Sequence, residues 1–447
     1  YYFCCTNHRA DMDRKRVLII SYYWPPSGGI GVLRCLKIAK YLRQYGWEPV
    51  IFTAKDAHYP SIDHSNDKDI PPGATILRQR IWEPYHIYKF ITGQPPQANV
   101  NNVFYVKDEK LGFFHRLSVW IRSNFFIPDA RALWIGPSVR FLRRYLKDNP
   151  VDAIFSDGPP HSNTRIATLL KKHTGIPWLA DFQDPWTQID YYQLLDLTAW
   201  GDRRHHRMEQ EAFRRADKIT IVSPTWKKEL EAIGAENISV IPWGYDPDDY
   251  KDIEQQVGSK FTLTHLGIMG YDRNPAGLFR VLQRMCEEVE GFRENLELQL
   301  VGQVDYSVKE AYEAARLSDN VKLPGSVSRQ EALQRTMDSP ILLLLLNQQP
   351  NAKGRIPGKL FEYLASRRPI LCLGPTDSDV AGILTETKAG TTADYEDEEA
   401  IRAALENLYR KFREGKLGQA VDSSIDAYSI EKLTGQVAGF LDEIVKG

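Results

Sequence analysis

The chain has 447 residues, room for two or three domains with substantial cores. Its formal net charge of −1 gives no global field that argues for nucleic acid as a partner. Five cysteines (Cys4, Cys5, Cys35, Cys286 and Cys372) show neither metal-ligand spacing nor a disulfide framework, which suits a reducing cytoplasm, and no stretch approaches the ~20 apolar residues of a membrane span. The opening YYFCCTNHRADMDRKR has no apolar core of a secretory signal, so Met12 is the expected start of the folded chain, with residues 1–11 extraneous.

Arg16–Tyr23 is a short apolar, β-rich run and reads as a buried first strand. A turn containing Gly28, Gly29 and Gly31 follows, then a helix in which Val32, Leu36, Ala39 and Leu42 recur at helical spacing up to Gly46, then a strand at Glu48–Thr53. This strand–turn–helix–strand unit opens a Rossmann-like domain, but the glycines lack the G-x-G-x-x-G spacing, which disfavours a nicotinamide-dependent oxidoreductase. From His58 to about Lys110 the sequence is polar and aperiodic and reads as a long insertion. In the next segment Leu117, Trp120, Ile121 and Phe125 form an apolar stripe, accompanied by Arg116, Arg122, Arg140, Arg143, Arg144 and Lys147. Two readings compete: a basic amphipathic helix lying on an anionic membrane surface through residues 115–147, or aromatics packed on the core beneath solvated arginines.

Strands are expected at Val151–Ser156 and Ile176–Phe182, with a helix between them ending near His173. His161 and Asp184 lie just past the two strand ends, where doubly wound sheets carry their chemistry. Either residue could meet an acceptor hydroxyl, but a His at the start of a helix is more often a cap or packing residue. A charged helix at Arg203–Ala216, a strand at Lys218–Val222, a Ser223 cap and a strand within Asn237–Trp243 complete the first sheet. Acidic, aperiodic Asp246–Lys260 reads as a linker. A second α/β unit then begins with a strand at Phe261–Leu266, a glycine-rich loop holding Arg273 and a helix at Ala276–Glu288, followed by strands at Leu296–Gly302 and Asn320–Leu323.

The most informative stretch is ILLLLLNQQPNAKGRIPGKLFEYLASRRPILCLG, from Ile341 to Gly374. Ile341–Leu346 reads as a core parallel strand, Pro357 marks a helix start, Lys359–Ala365 is a short helix and Ile370–Leu373 is the next strand. Lys359 and Glu362 share a face at the first helical turn. The N–H groups there, near Gly358, can receive phosphate oxygens, with Lys359 and Arg355 adding charge, and Glu362 can accept from vicinal hydroxyls such as those of a ribose. In outline that is a nucleotide-diphosphate site; the alternative is a solvated helix face. A helix near Asp379–Thr385, a strand at Gly390–Ala393 and a last helix at Ile430–Ile444 finish the chain.

IPGKLFEYLASRRPIL resembles the donor-site segment of GT-B glycosyltransferases, especially the large retaining family 4, and SDGPPHSN, GIPWLADFQDPW and AFRRADKITIVSPTWKKELEAIGAENISVIPWGYDPDDY extend the resemblance in chain order. It implies an α/β GT-B fold, with two Rossmann-like parallel-sheet domains facing across a cleft. Their expected limits are 12–245, joined by a crossing helix at about 428–447, and 260–427. It also implies a retaining glycosyltransferase of cell-envelope polysaccharide synthesis, cytoplasmic or peripheral on the membrane face. The partners implied are a nucleotide-diphosphate sugar as co-substrate and a glycan or lipid-linked acceptor, with no other cofactor and no metal. Glu362 would hold the ribose, and Gly29, Arg273, Arg355, Gly358 and Lys359 would bind the donor. Gly28, His161 and Asp184 would face the acceptor, with Asp184, Arg273 and Lys359 carrying the catalytic step. Two family features are missing: a Glu eight positions before Glu362, where Gly354 stands, and a His at Gln183 or Asp184. These gaps keep open a catalytically silent nucleotide-binding partner, and a nucleotide-sugar epimerase of the same fold would share the sites.

Overall fold

The computed structural model describes residues 14–59, 61–82, 113–349, 352–418 and 423–446; the expected extraneous residues 1–11 lie outside them, as does much of the expected insertion. The chain divides into two compact units, one ending at Pro242 and resuming at Leu433, the other Trp243–Lys432.

In the first unit the strands are β1 (Lys15–Ile20), β2 (Trp47–Lys55), β3 (Thr75–Arg80), β4 (Ala153–Gly158), β5 (Trp178–Phe182), β6 (Lys218–Ile221) and β7 (Ile238–Val240). They pair in the order β3-β2-β1-β4-β5-β6-β7, every pairing parallel. The helices are α1 (Ile30–Leu42), α2 (Phe113–Phe125), α3 (Ala132–Asp148), α4 (His161–Thr174), α5 (Ala199–Arg215) and α6 (Pro224–Ala232). Val17–Ile20 is wholly buried, which is why it reads as an unbroken apolar run: a parallel sheet covered on both faces leaves no polar alternation.

Two expectations need correction. The polar stretch after His58 contains β3, an edge strand in which every side chain is at least partly exposed, so it has little hydrophobic pattern to read. The basic aromatic segment is two helices rather than one, separated at residues 126–131. In α3 the buried stripe is Trp134, Ile135, Val139, Leu142 and Leu146.

In the second unit β8 (Phe261–Leu266), β9 (Leu296–Val301), β10 (Val321–Gly325), β11 (Ile341–Leu345), β12 (Ile370–Leu373) and β13 (Gly390–Ala393) pair in the order β10-β9-β8-β11-β12-β13, again all parallel. Around them lie α7 (Ala276–Glu288), α8 (Tyr306–Ala314), α9 (Arg329–Asp338), α10 (Lys359–Ser366), α11 (Asp379–Glu386) and α12 (Glu398–Arg413). β11 shows why the leucine run is needed. Leu343 and Leu345 pack into one core with Leu278, Leu282 and Leu298, while Leu342 and Leu344 pack into the other with Leu360, Phe361 and Leu364. Each such leucine contributes about 1.5–3 kcal/mol of burial free energy. A final helix, α13 (Ile430–Lys446), belongs to the first unit from Leu433 on, where Asp442 accepts from Lys15 Nζ at 2.6 Å.

Both sheets reverse strand order once, between β1 and β4 and between β8 and β11. A crevice opens outside the carboxyl ends of the strands at such a reversal, and those two places position the candidate residues.

Candidate active site

At the reversal in the second sheet, β8 ends at Leu266 and the chain turns through Gly267 with φ +112°. A Cβ at Gly267 would stand 2.8 Å from Lys359 Nζ, so glycine leaves the space that the ammonium occupies. Lys359 is the first residue of α10 and reaches back to donate to Leu266 O at 2.7 Å. Burial first, and then the nearby Arg273 charge, pushes its ammonium down to about 7, against an opposing pull from Glu362. Arg273, in the short turn Tyr271–Arg273, donates from Nε to Asn347 Oδ1 at 3.0 Å and from Nη1 to Ile268 O at 3.1 Å. It thereby ties the loop after β8 to the end of β11.

Gly358 caps α10 without a side-chain acceptor; the Leu360 and Phe361 N–H groups donate to Pro357 O and Gly358 O, while those of Gly358 and Lys359, beside the lysine ammonium, have no partner among the described residues. Arg355 is half-buried in the turn ahead of them. One turn in, Glu362 Oε1 accepts from Arg329 Nη1 at 2.8 Å, and Arg329 Nη2 donates to Asp249 Oδ2 at 3.2 Å. The second unit therefore brings Lys359, Gly358, Arg273 and Glu362 to one strand-end region. Chemically, an incoming anion would offset the burial, and then the Arg273 charge, that depress Lys359.

The first unit is different. Gly28 lies against Ser61, its N–H donating to Ser61 O at 2.9 Å, and a Cβ there would come 2.6 Å from Ser61 Oγ. Gly29 caps α1 at φ 85°, ψ 173°, a conformation essentially reserved for glycine, and is exposed. Asp184 is half-exposed just past β5. His161 is buried and stacked flat on Trp186, ring centroids 4.4 Å apart, and burial followed by the His205 charge pushes its imidazole down to about 3. Its contacts are those of a neutral packing residue, the alternative the sequence left open.

Beneath these residues lies a polar network that sequence reasoning missed. Arg34 makes a two-pronged ion pair with Asp181, at 2.6 and 2.8 Å, and donates to Ile241 O and Pro242 O. Thr220 Oγ1 also donates to Asp181, at 2.6 Å. Asp157 receives Ser21 Oγ at 2.9 Å, Cys35 Sγ at 3.3 Å and Asn163 Nδ2 at 2.6 Å, and burial pushes its carboxyl up to about 7.

With this geometry in view, residues 28–249 match the family model described as Glycosyltransferase Family 4. The chain is a family 4-like GT-B protein. Sucrose-phosphate synthase from Thermosynechococcus elongatus aligns with a TM-score of 0.62 at 13% identity, over 96% of this chain and 99% of that one. HepE from Anabaena, solved with UDP-glucose, gives 0.56 at 13%, over 96% and 100%. A Listeria monocytogenes protein described as a UDP-N-acetylglucosamine 2-epimerase gives 0.55 at 12%, over 96% of each chain. At these identities the likeness establishes the fold. No curated protein sequence matches.

In this GT-B chain the residues that sequence missed are buried acids inside strands, Asp157 and Asp181, and cations on helices, Arg34 and Arg329. An acid within an otherwise apolar strand was the available signal for the first two. For Arg329 there was none, because its partners are 33 and 80 positions away.

Proposed function

We propose that this chain is a retaining glycosyltransferase that moves a sugar from a nucleotide-diphosphate sugar to a glycan or lipid-linked acceptor in cell-envelope polysaccharide synthesis. The observation that carries this reading is Lys359, half-buried at the head of α10, beside Gly267 and with its pKa depressed. A donor diphosphate seated there would be met by Lys359, Arg273, Arg355 and the Gly358–Lys359 N–H groups. Charge that grows on the leaving diphosphate as the glycosidic bond breaks would be stabilised by the same groups. Glu362 would accept from the ribose hydroxyls. In the first unit, Asp184 and the Gly28–Gly29 turn would serve the acceptor. Retention is proposed from the family match, and the UDP-glucose held by HepE makes UDP the first nucleotide to try.

The outer face of the first unit supports work at the cytoplasmic face of an anionic membrane. Leu117, Ile121 and Phe125 recur every fourth residue on α2 and are 39%, 40% and 62% exposed, with Trp120 of the same stripe half-buried. On α3, Arg140, Arg143, Arg144 and Lys147 share an exposed stripe with no ion-pair partner among the described residues. Among the described residues, no helix is long and apolar enough to cross a membrane.

A thermal-shift panel of UDP, GDP, ADP and dTDP tests the donor site: one nucleotide should stabilise the chain according to RT ln(1 + [L]/Kd), and a flat response to all four would count against it. Diphosphate release from the matching sugar nucleotide should require an acceptor; release without one would favour the epimerase. Vesicle binding should need anionic lipid and fade with salt.

A further inference from the structure

Glu362 is not free to choose its orientation. Its Oε1 is held by Arg329 Nη1 at 2.8 Å, while Oε2 has no hydrogen-bond partner among the described residues. The other arm of the same guanidinium grips Asp249 Oδ2 at 3.2 Å. Both ends of this strut are themselves anchored. Arg329 begins α9 behind the Ser328 cap, whose Oγ accepts the Glu331 N–H at 3.2 Å. Asp249 belongs to the turn Pro247–Tyr250, which the Asp246 side chain closes by accepting from Asp248 N at 3.0 Å, and Tyr250 Oη lies 3.5 Å from Glu362 O. Burial works against the guanidinium charge, but Glu362 and then Asp249 outweigh it and hold its pKa above the ordinary arginine value.

We propose that Arg329 is a positioning residue for donor recognition: by holding Glu362 Oε1 and Asp249 together, it fixes the Glu362 carboxylate so that Oε2 faces the nucleotide ribose. The proposal rests on the donor-site reading above. A planar, two-armed donor suits this task because it satisfies two carboxylates at once and restricts the rotation of each. A lysine could hold only one of them in a defined direction. Arg329 need not touch the nucleotide; it acts through Glu362. Its loss should be felt in discrimination between ribose and a sugar lacking hydroxyls more than in diphosphate binding.

The test is calorimetric titration of the full chain with UDP and with 2′,3′-dideoxy-UDP, for the unaltered protein, Arg329→Gln, Arg329→Lys and Asp249→Asn, with thermal unfolding recorded for each. The unaltered protein should prefer UDP by on the order of tenfold, the worth of a hydrogen bond to a charged group. Arg329→Gln should reduce that preference to about twofold or less while leaving dideoxy-UDP affinity nearly unchanged, and Arg329→Lys and Asp249→Asn should fall between. The proposal is overturned if Arg329→Gln keeps the full preference, or if it weakens both ligands equally. Should Arg329→Gln fail to fold, Asp249→Asn decides in the same way. UDP binding without any preference in the unaltered protein would remove the Glu362–ribose contact, and this proposal with it, while sparing the diphosphate site. No binding of UDP, GDP, ADP or dTDP would defeat the donor-site reading itself.

Discussion

At the end of β4, Asp157 is wholly buried and receives three side-chain donors; at the end of β8, a half-buried lysine has one backbone carbonyl and an arginine's charge nearby. The two places are topologically equivalent, each at the reversal of a parallel sheet. Burial has displaced both groups towards the uncharged form, raising the acid and lowering the base. The difference lies in what surrounds them. Asp157 and the neighbouring Arg34–Asp181 pair are enclosed by partners from their own unit, so they hold strands and helix together. Lys359 sits where α10 begins, with Gly358 before it in sequence and Gly267 beside its ammonium, and its charge is left uncompensated by any acid in hydrogen-bond contact among the described residues. On the proposed reading, one reversal serves architecture and the other receives an anion.

The comparison can be broken most severely at Arg34. Replacing it with methionine leaves Asp181 buried without its counter-charge and should cost about 3–5 kcal/mol of stability, read from denaturant unfolding. A loss below about 1 kcal/mol would mean the first reversal is no structural clamp. Next in size is Lys359→Met, which should weaken UDP binding by about 1.5–3 kcal/mol in a titration while shifting unfolding little; the opposite pattern would make Lys359 structural as well. A third prediction concerns pH. Because Asp157 titrates near 7 when folded and near its ordinary value of 3.8 when unfolded, the folded state holds the extra proton between those values. Its contribution to stability is therefore full below about pH 4 and is lost as pH rises through 7, and Asp157→Asn should flatten that fall. An unchanged profile would place the Asp157 pKa elsewhere.

Much of the fold was legible because both faces of each parallel sheet are covered. The run ILLLLL at β11 divides its leucines between two cores, and a sequence with that requirement cannot hide it. The start of α10 was legible too, since Pro357 and Gly358 announce it and place Lys359 and Glu362 in its first turn. What escaped was whatever depends on distant partners or weak burial. β3 is an edge strand with little apolar face, and the break between α2 and α3 lies in a segment whose hydrophobic residues continue across it. His161 follows a strand end, so an acceptor contact and a packing role both stood open, and its ring stacks on Trp186. The Arg34–Asp181 pair spans 147 positions, a separation at which a single sequence gives no pairing signal.

The most direct test of the open, anion-binding reversal is proton uptake on nucleotide binding. UDP would be titrated into the full chain near pH 8 in buffers of differing ionisation enthalpy. Lys359, titrating near 7 in the free protein, is then mostly neutral, and a bound diphosphate should restore its charge. The account predicts net uptake of a fraction of a proton that disappears in Lys359→Met. Binding with no proton uptake, or uptake that survives the substitution, would contradict it.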